Sequence, residues 1–166
     1  GALFRNAKES GFTEATNVTY IVYPIGKGLA PRFANSPMVA QYLTAVRLSE
    51  ARAGTHGDQP TDWFILEQMF AGVRPDGVAW QEWFNETATP EQAEAQVHAW
   101  LSESGYDAAG IEQIATLASS AEVDAVIEEG MRVVDEEIRT VTIPSMIADG
   151  KLHKGAVSVE ELASMR

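Results

Sequence analysis

Between Ser36 and Ile138 the apolar side chains recur every three or four residues, the spacing that lines one face of a helix, so this stretch reads as a helical block. Ser36 caps and Pro37 occupies the first turn of a helix through Ala53, with Val39, Tyr42, Leu43 and Val46 facing inward and Gly54 as its stop. Thr61 is placed to cap a helix over Asp62 to Ala71, where Trp63, Leu66, Met69 and Phe70 form the apolar stripe. A short helix follows from Val78 to Phe84. Thr89-Pro90-Glu91-Gln92 is a capping box with proline at the first helical position, and its helix ends near Gly105. Asp107 opens a helix bearing Ile111, Ile114 and Leu117. Ser120 opens the longest one, with Val123, Val126, Ile127, Val133, Val134 and Ile138 inward.

Two stretches depart from that rhythm. Val18 to Ile25 is a continuous run of β-forming residues, the composition of a strand buried on both faces in a parallel sheet. Ser145 to Ala148 and the residues after Asp149-Gly150 are two short strand-like runs, joined by a dipeptide whose positions both accept positive φ, and so predict a β-hairpin. Pro144 has no N–H to give to a ladder and belongs at the start of a strand or on an edge. The ends are helical: Leu3, Phe4 and Ala7 lie opposite Arg5, Lys8 and Glu9 before Gly11, and Ser158-Val-Glu-Glu161 is a capping box ahead of Leu162 and Met165.

A length of 166 residues suits one domain with a real core, and 45% hydrophobic with 22% charged residues is ordinary globular composition. Charge changes the picture more. Twelve Lys plus Arg against 24 Asp plus Glu give a net charge of −12, which argues against nucleic acid or an anionic membrane as partner, because both need a basic footprint. No apolar run is long enough for a transmembrane helix, and Gly1 to Lys8 lack the apolar core of a secretory signal.

Candidate chemistry is sparse. His56, His98 and His153 share no short metal-ligand spacing and the chain has no cysteine to join them, so no metal site is expected. Trp63, Trp80, Trp83 and Trp100 read as core aromatics, and Glu128-Glu129 with Asp135-Glu136-Glu137 as a solvated helix face. Ser145 lacks the Gly-x-Ser-x-Gly context of a nucleophile, and Gly26-Lys27-Gly28 lacks both phosphate-binding glycine patterns.

Tyr20 to Ile25 as a strand, Ser36-Pro37-Met38 opening a helical block, Thr142-Ile143-Pro144-Ser145 before a hairpin turning at Asp149-Gly150-Lys151, and a last helix entered over Gly155 to Leu162 resemble, in that order, the thioredoxin superfamily. Within it the Dsb-type thiol-disulfide oxidoreductases are the most similar. The resemblance implies an α/β, thioredoxin-like fold with a large all-helical insertion between the central strand and the cis-proline hairpin. Residues 1–35 and 140–166 would form the thioredoxin-like part and 36–139 the insertion of a single domain, with the family's first strand and Cys-x-x-Cys absent from these residues. It further implies thiol-disulfide exchange of oxidase or isomerase type on protein or peptide substrates, in a periplasmic or secreted setting with the cytoplasm as the other compartment. Thr142, Ile143 and Pro144 would bind substrate, with no catalytic residue in the chain and no cofactor. A homodimer is compatible with this reading, and its alternative is a redox-inactive peptide-binding or adaptor domain.

Overall fold

A computed structural model describes residues 2–16, 18–24, 33–56, 60–140, 142 and 144–165. Its elements, in chain order, are α1 (Ala2–Glu9), α2 (Phe12–Ala15), α3 (Ser36–Ala53), α4 (Thr61–Ala71), α5 (Trp80–Glu86), α6 (Pro90–Glu103), α7 (Ala108–Ala118), α8 (Ala121–Arg132), a π-helical segment (Val133–Ile138), β1 (Ser145–Ala148), β2 (Lys151–Lys154) and α9 (Val159–Ser164). They divide into two compact units: Gly1–Ile21 with Arg132–Arg166, and Val22–Met131.

The Val22–Met131 unit is organised around α3. This helix packs against α4, α6 and α7, and it buries Val39, Ala40, Tyr42, Leu43, Ala45 and Val46. Burial on so many sides is what a core helix looks like, as opposed to a surface helix with one apolar stripe. Leu66 and Met69 of α4, Val97, Trp100 and Leu101 of α6, and Ile114 of α7 complete the core. Trp100 stacks on Phe84 at a ring separation of 5.5 Å and meets Trp80 edge-on at 5.2 Å. The Arg74 guanidinium lies 4.4 Å over the Trp83 ring, so this aromatic group ends in a cation–π contact where it nears the surface. Asn35, itself buried, donates through Nδ2 to the Phe84 and Ala88 carbonyls at 2.8 and 3.0 Å, tying the start of α3 to the end of α5.

The other unit is smaller in its elements. Helix α1 packs against α2 and α9, and Asn6 Nδ2 donates to the Val157 carbonyl at 2.8 Å. The hairpin pairs Ser145 with Lys154 through Ala148 with Lys151, turning on Asp149 and Gly150 at φ 50° and 72°. Those two positive values are the reason the turn takes Asp-Gly.

Part of the local punctuation read from the sequence is present: the Thr89 capping box, the Asp107 cap on Gly110 N–H, and the Ser158 cap on Glu161 N–H, half of the expected box; the cap position of α3 is Asn35, with Ser36 its first residue. The global expectation is overturned. The chain is mostly helical, and the sheet among the described residues has only two antiparallel strands. Among the described residues there is no thioredoxin-like α/β fold with a central sheet, and with it goes the family resemblance. Residues 18–24 form no strand, and Val18 and Ile21 are 41% and 44% exposed; Ile25 lies outside the described residues. The physical reason is that a two-face-buried strand needs partners on both edges, and β propensity alone supplies none.

Smaller corrections have local causes. Thr61 is the first residue of α4 and the cap position is Pro60. The long last helix stops being α-helical at Val133, where Arg139 N–H reaches the Val134 carbonyl, and Val126 faces outward. No helix among the described residues is long and apolar enough to cross a membrane.

Candidate functional site

Two helix ends of the Val22–Met131 unit build the site. Helix α3 stops at Gly54 (φ 68°), with Thr55 N–H bonded to the Glu50 carbonyl and Gly54 N–H to that of Ala51. Helix α6 stops the same way at Gly105 (φ 95°), with Tyr106 N–H on the Leu101 carbonyl and Gly105 N–H on that of Ser102. Both are Schellman reversals, which need the left-handed conformation at the glycine. They turn the chain back so that Thr55 and Tyr106 come to line one cleft of about 520 Å³, together with Glu50, Thr61, Ser104 and Asp107.

Glu50 sits on the inner face of α3, in line with Val39, Leu43 and Val46, and is 8% exposed. A buried carboxylate must be compensated. Thr61 N–H donates to its two oxygens at 3.4 and 3.3 Å, so the anion meets the positive end of α4 and serves a backbone N–H that lacks a helical partner. The Tyr106 hydroxyl donates to Oε1 at 3.2 Å. Burial, then the Glu50 charge, pushes the Tyr106 phenol up to about 12, so it remains a protonated donor at neutral pH.

Asp62, one residue into α4 and 1% exposed, approaches Glu50 without lining the cleft. Its Oδ1 accepts from Trp63 N–H at 2.9 Å and lies 3.4 Å from His56 Nε2, while Oδ2 accepts from Arg47 Nε at 3.1 Å. His56, from the segment joining α3 to α4, keeps 34% of its side chain exposed. The result is a trio, Glu50, His56 and Asp62, each offering one ligand atom within 4.8 Å of the others. One imidazole and two carboxylates are a donor set for a borderline divalent cation such as zinc, which takes such atoms at about 2.0–2.2 Å. Two carboxylates this close repel by on the order of 3 kcal/mol at an effective dielectric of about 20. Arg47 offsets one of the two charges; a divalent ion would more than offset the one that remains.

Sequence reasoning missed this trio because it looked for a second histidine or a cysteine near His56, and the partners are carboxylates six residues away on either side. One signal could have found it: Glu50 is a charge in an otherwise apolar stripe of α3. The other histidines are elsewhere. His98 Nε2 lies 2.7 Å from the Tyr42 hydroxyl, and His153 Nδ1 lies 3.2 Å from Glu161.

The residues expected to bind substrate fall in the other unit. Thr142 N–H donates to Thr140 Oγ1 at 3.2 Å, and the exposed Pro144 accepts Gly155 N–H at 2.9 Å, closing the hairpin; Ile143 lies outside the described residues. Disulfide chemistry loses its support, since the chain has no cysteine and the described residues lack the sheet that the resemblance implied. Compared with known protein families, curated proteins and solved structures, the chain matches none.

Proposed function

We propose that the Val22–Met131 unit binds a divalent transition-metal ion through Glu50, His56 and Asp62, and that the chain acts as a metal-dependent helical protein with a polar cleft beside the ion. The observation that carries this reading is the convergence of the three ligand atoms within 4.8 Å, two of them on carboxylates withdrawn from water. Each carboxylate already has an outer partner, Tyr106 on Glu50 and Arg47 on Asp62, which is how metal ligands are commonly oriented. A bound ion at that place would supply a Lewis-acidic centre. The cleft alongside presents the hydroxyls of Ser49, Thr55, Thr61, Ser104 and Tyr106, the carboxylates of Glu50 and Asp107 and, among the described residues, no Lys or Arg side chain, a lining that suits a small hydroxyl-bearing molecule and disfavours an anion.

Calorimetric titration with zinc tests the reading. The expected result is one site per chain and a rise in thermal midpoint, corresponding to about 2.7 kcal/mol when free zinc is a hundred times Kd. His56→Ala is the cleanest variant because that side chain is partly exposed and its loss leaves the core intact. It should lower the affinity at least tenfold while the metal-free melting temperature stays near that of the wild type. Equal zinc affinity in the two proteins would sink the proposal.

A further inference from the structure

We infer that Tyr106 is the positioning residue of this metal site, holding the Glu50 carboxylate from the cleft side so that it faces His56 and Asp62. The inference rests on the metal reading above. Glu50 has two sources of hydrogen bonds, and only one of them selects an orientation. The Thr61 N–H is shared between both carboxylate oxygens at 3.4 and 3.3 Å, near the outer limit for such a bond, and so favours neither oxygen. The phenol selects Oε1 at 3.2 Å.

Tyr106 is itself held on three sides. Its backbone N–H closes the α6 reversal on the Leu101 carbonyl, the next residue caps α7, and its ring lies against the first turn of α7. There Gly110 has no side chain, and a Cβ built on it would stand 3.2 Å from Tyr106 Cδ1. The glycine thus leaves room for the ring in the place from which its hydroxyl reaches Glu50. A second tyrosine on the same unit provides a contrast. Tyr42 also donates to a glutamate, Glu94 at 2.8 Å, but has no contact with the trio.

The test is zinc titration of the folded full chain and three variants, with cobalt(II) absorption as a report on ligand geometry. Tyr106→Phe should weaken zinc binding about 10- to 100-fold and alter the cobalt spectrum. Tyr42→Phe, which removes a comparable hydroxyl, should do neither. Gly110→Ala keeps the phenol yet crowds its ring and, at 3.3 Å, the Asp107 carboxylate; it should weaken zinc binding while circular dichroism shows the metal-free chain still folded. Wild-type affinity in Tyr106→Phe overturns the inference, as does an equal loss in Tyr42→Phe. Should Tyr106→Phe fail to fold, Gly110→Ala decides, and unchanged affinity there overturns it. A wild type that binds no zinc refutes the metal reading itself, which separates that failure from a failure of Tyr106.

Discussion

Tyr106 and Tyr42 each set a partly buried hydroxyl beside a glutamate, and in both cases burial is the largest cause of a raised pKa, followed by the effect of that glutamate: Glu50 for Tyr106, up to about 12, and Glu94 for Tyr42, which is displaced further. In the unfolded chain a phenol ionises near 10. Between that value and about 12 the folded protein therefore retains a Tyr106 proton that the unfolded chain has lost. Stability from this source is complete below about pH 10 and falls as pH rises toward 12. Tyrosinate absorbance during an alkaline titration should show late ionisation in two parts, of which Tyr106→Phe deletes the earlier and leaves that of Tyr42, and the urea midpoint should begin to fall above about pH 10. Ionisation of all four tyrosines together near pH 10 would contradict this. The site itself was barely legible at this scale. Glu50, His56 and Asp62 belong to two helices and the segment between them, and only the reversal at Gly54 makes neighbours of them.

At the scale of elements, helix boundaries are set by groups within a turn of one another, and those the sequence does disclose. The Thr89 capping box is the clearest case, with Gln92 N–H on Thr89 Oγ1 at 3.3 Å and Thr89 N–H on Gln92 Oε1 at 3.0 Å. Thr89→Ala should cost about 1 kcal/mol of unfolding free energy, measured by urea denaturation followed by circular dichroism. Thr87→Ala, at an exposed position just after α5, should stay within about 0.5 kcal/mol. A matching loss in both would mean the box contributes nothing specific. Strands are the opposite case. Val18 to Ile25 has the composition of a buried strand, but pairing is supplied by other parts of the chain, and the hairpin formed because its partner is two residues away. A recognisable order of pieces was therefore compatible with a fold that shares almost none of the sheet.

For the whole molecule, the two units differ in how much they bury. Among the described residues the buried hydrophobic side chains of the unit formed by Gly1–Ile21 and Arg132–Arg166 are Val134, Val157 and Leu162, whereas α3 alone buries six in the other unit. Free energy for local opening follows buried apolar contact. Native-state hydrogen exchange should find the amides of α1, α9 and the hairpin opening at lower free energy than those of α3 and α6. Slowest exchange in α1 or α9 would reverse the ranking.

The clasp between α1 and α9 has one more implication, for the order in which the protein comes into being. Val22–Met131 is one uninterrupted length of chain, so the helices that pack against α3 are all encoded upstream of residue 132. Helix α1 precedes that length and α9 follows it, so the contact between them waits on residues synthesised after the whole of the α3 core.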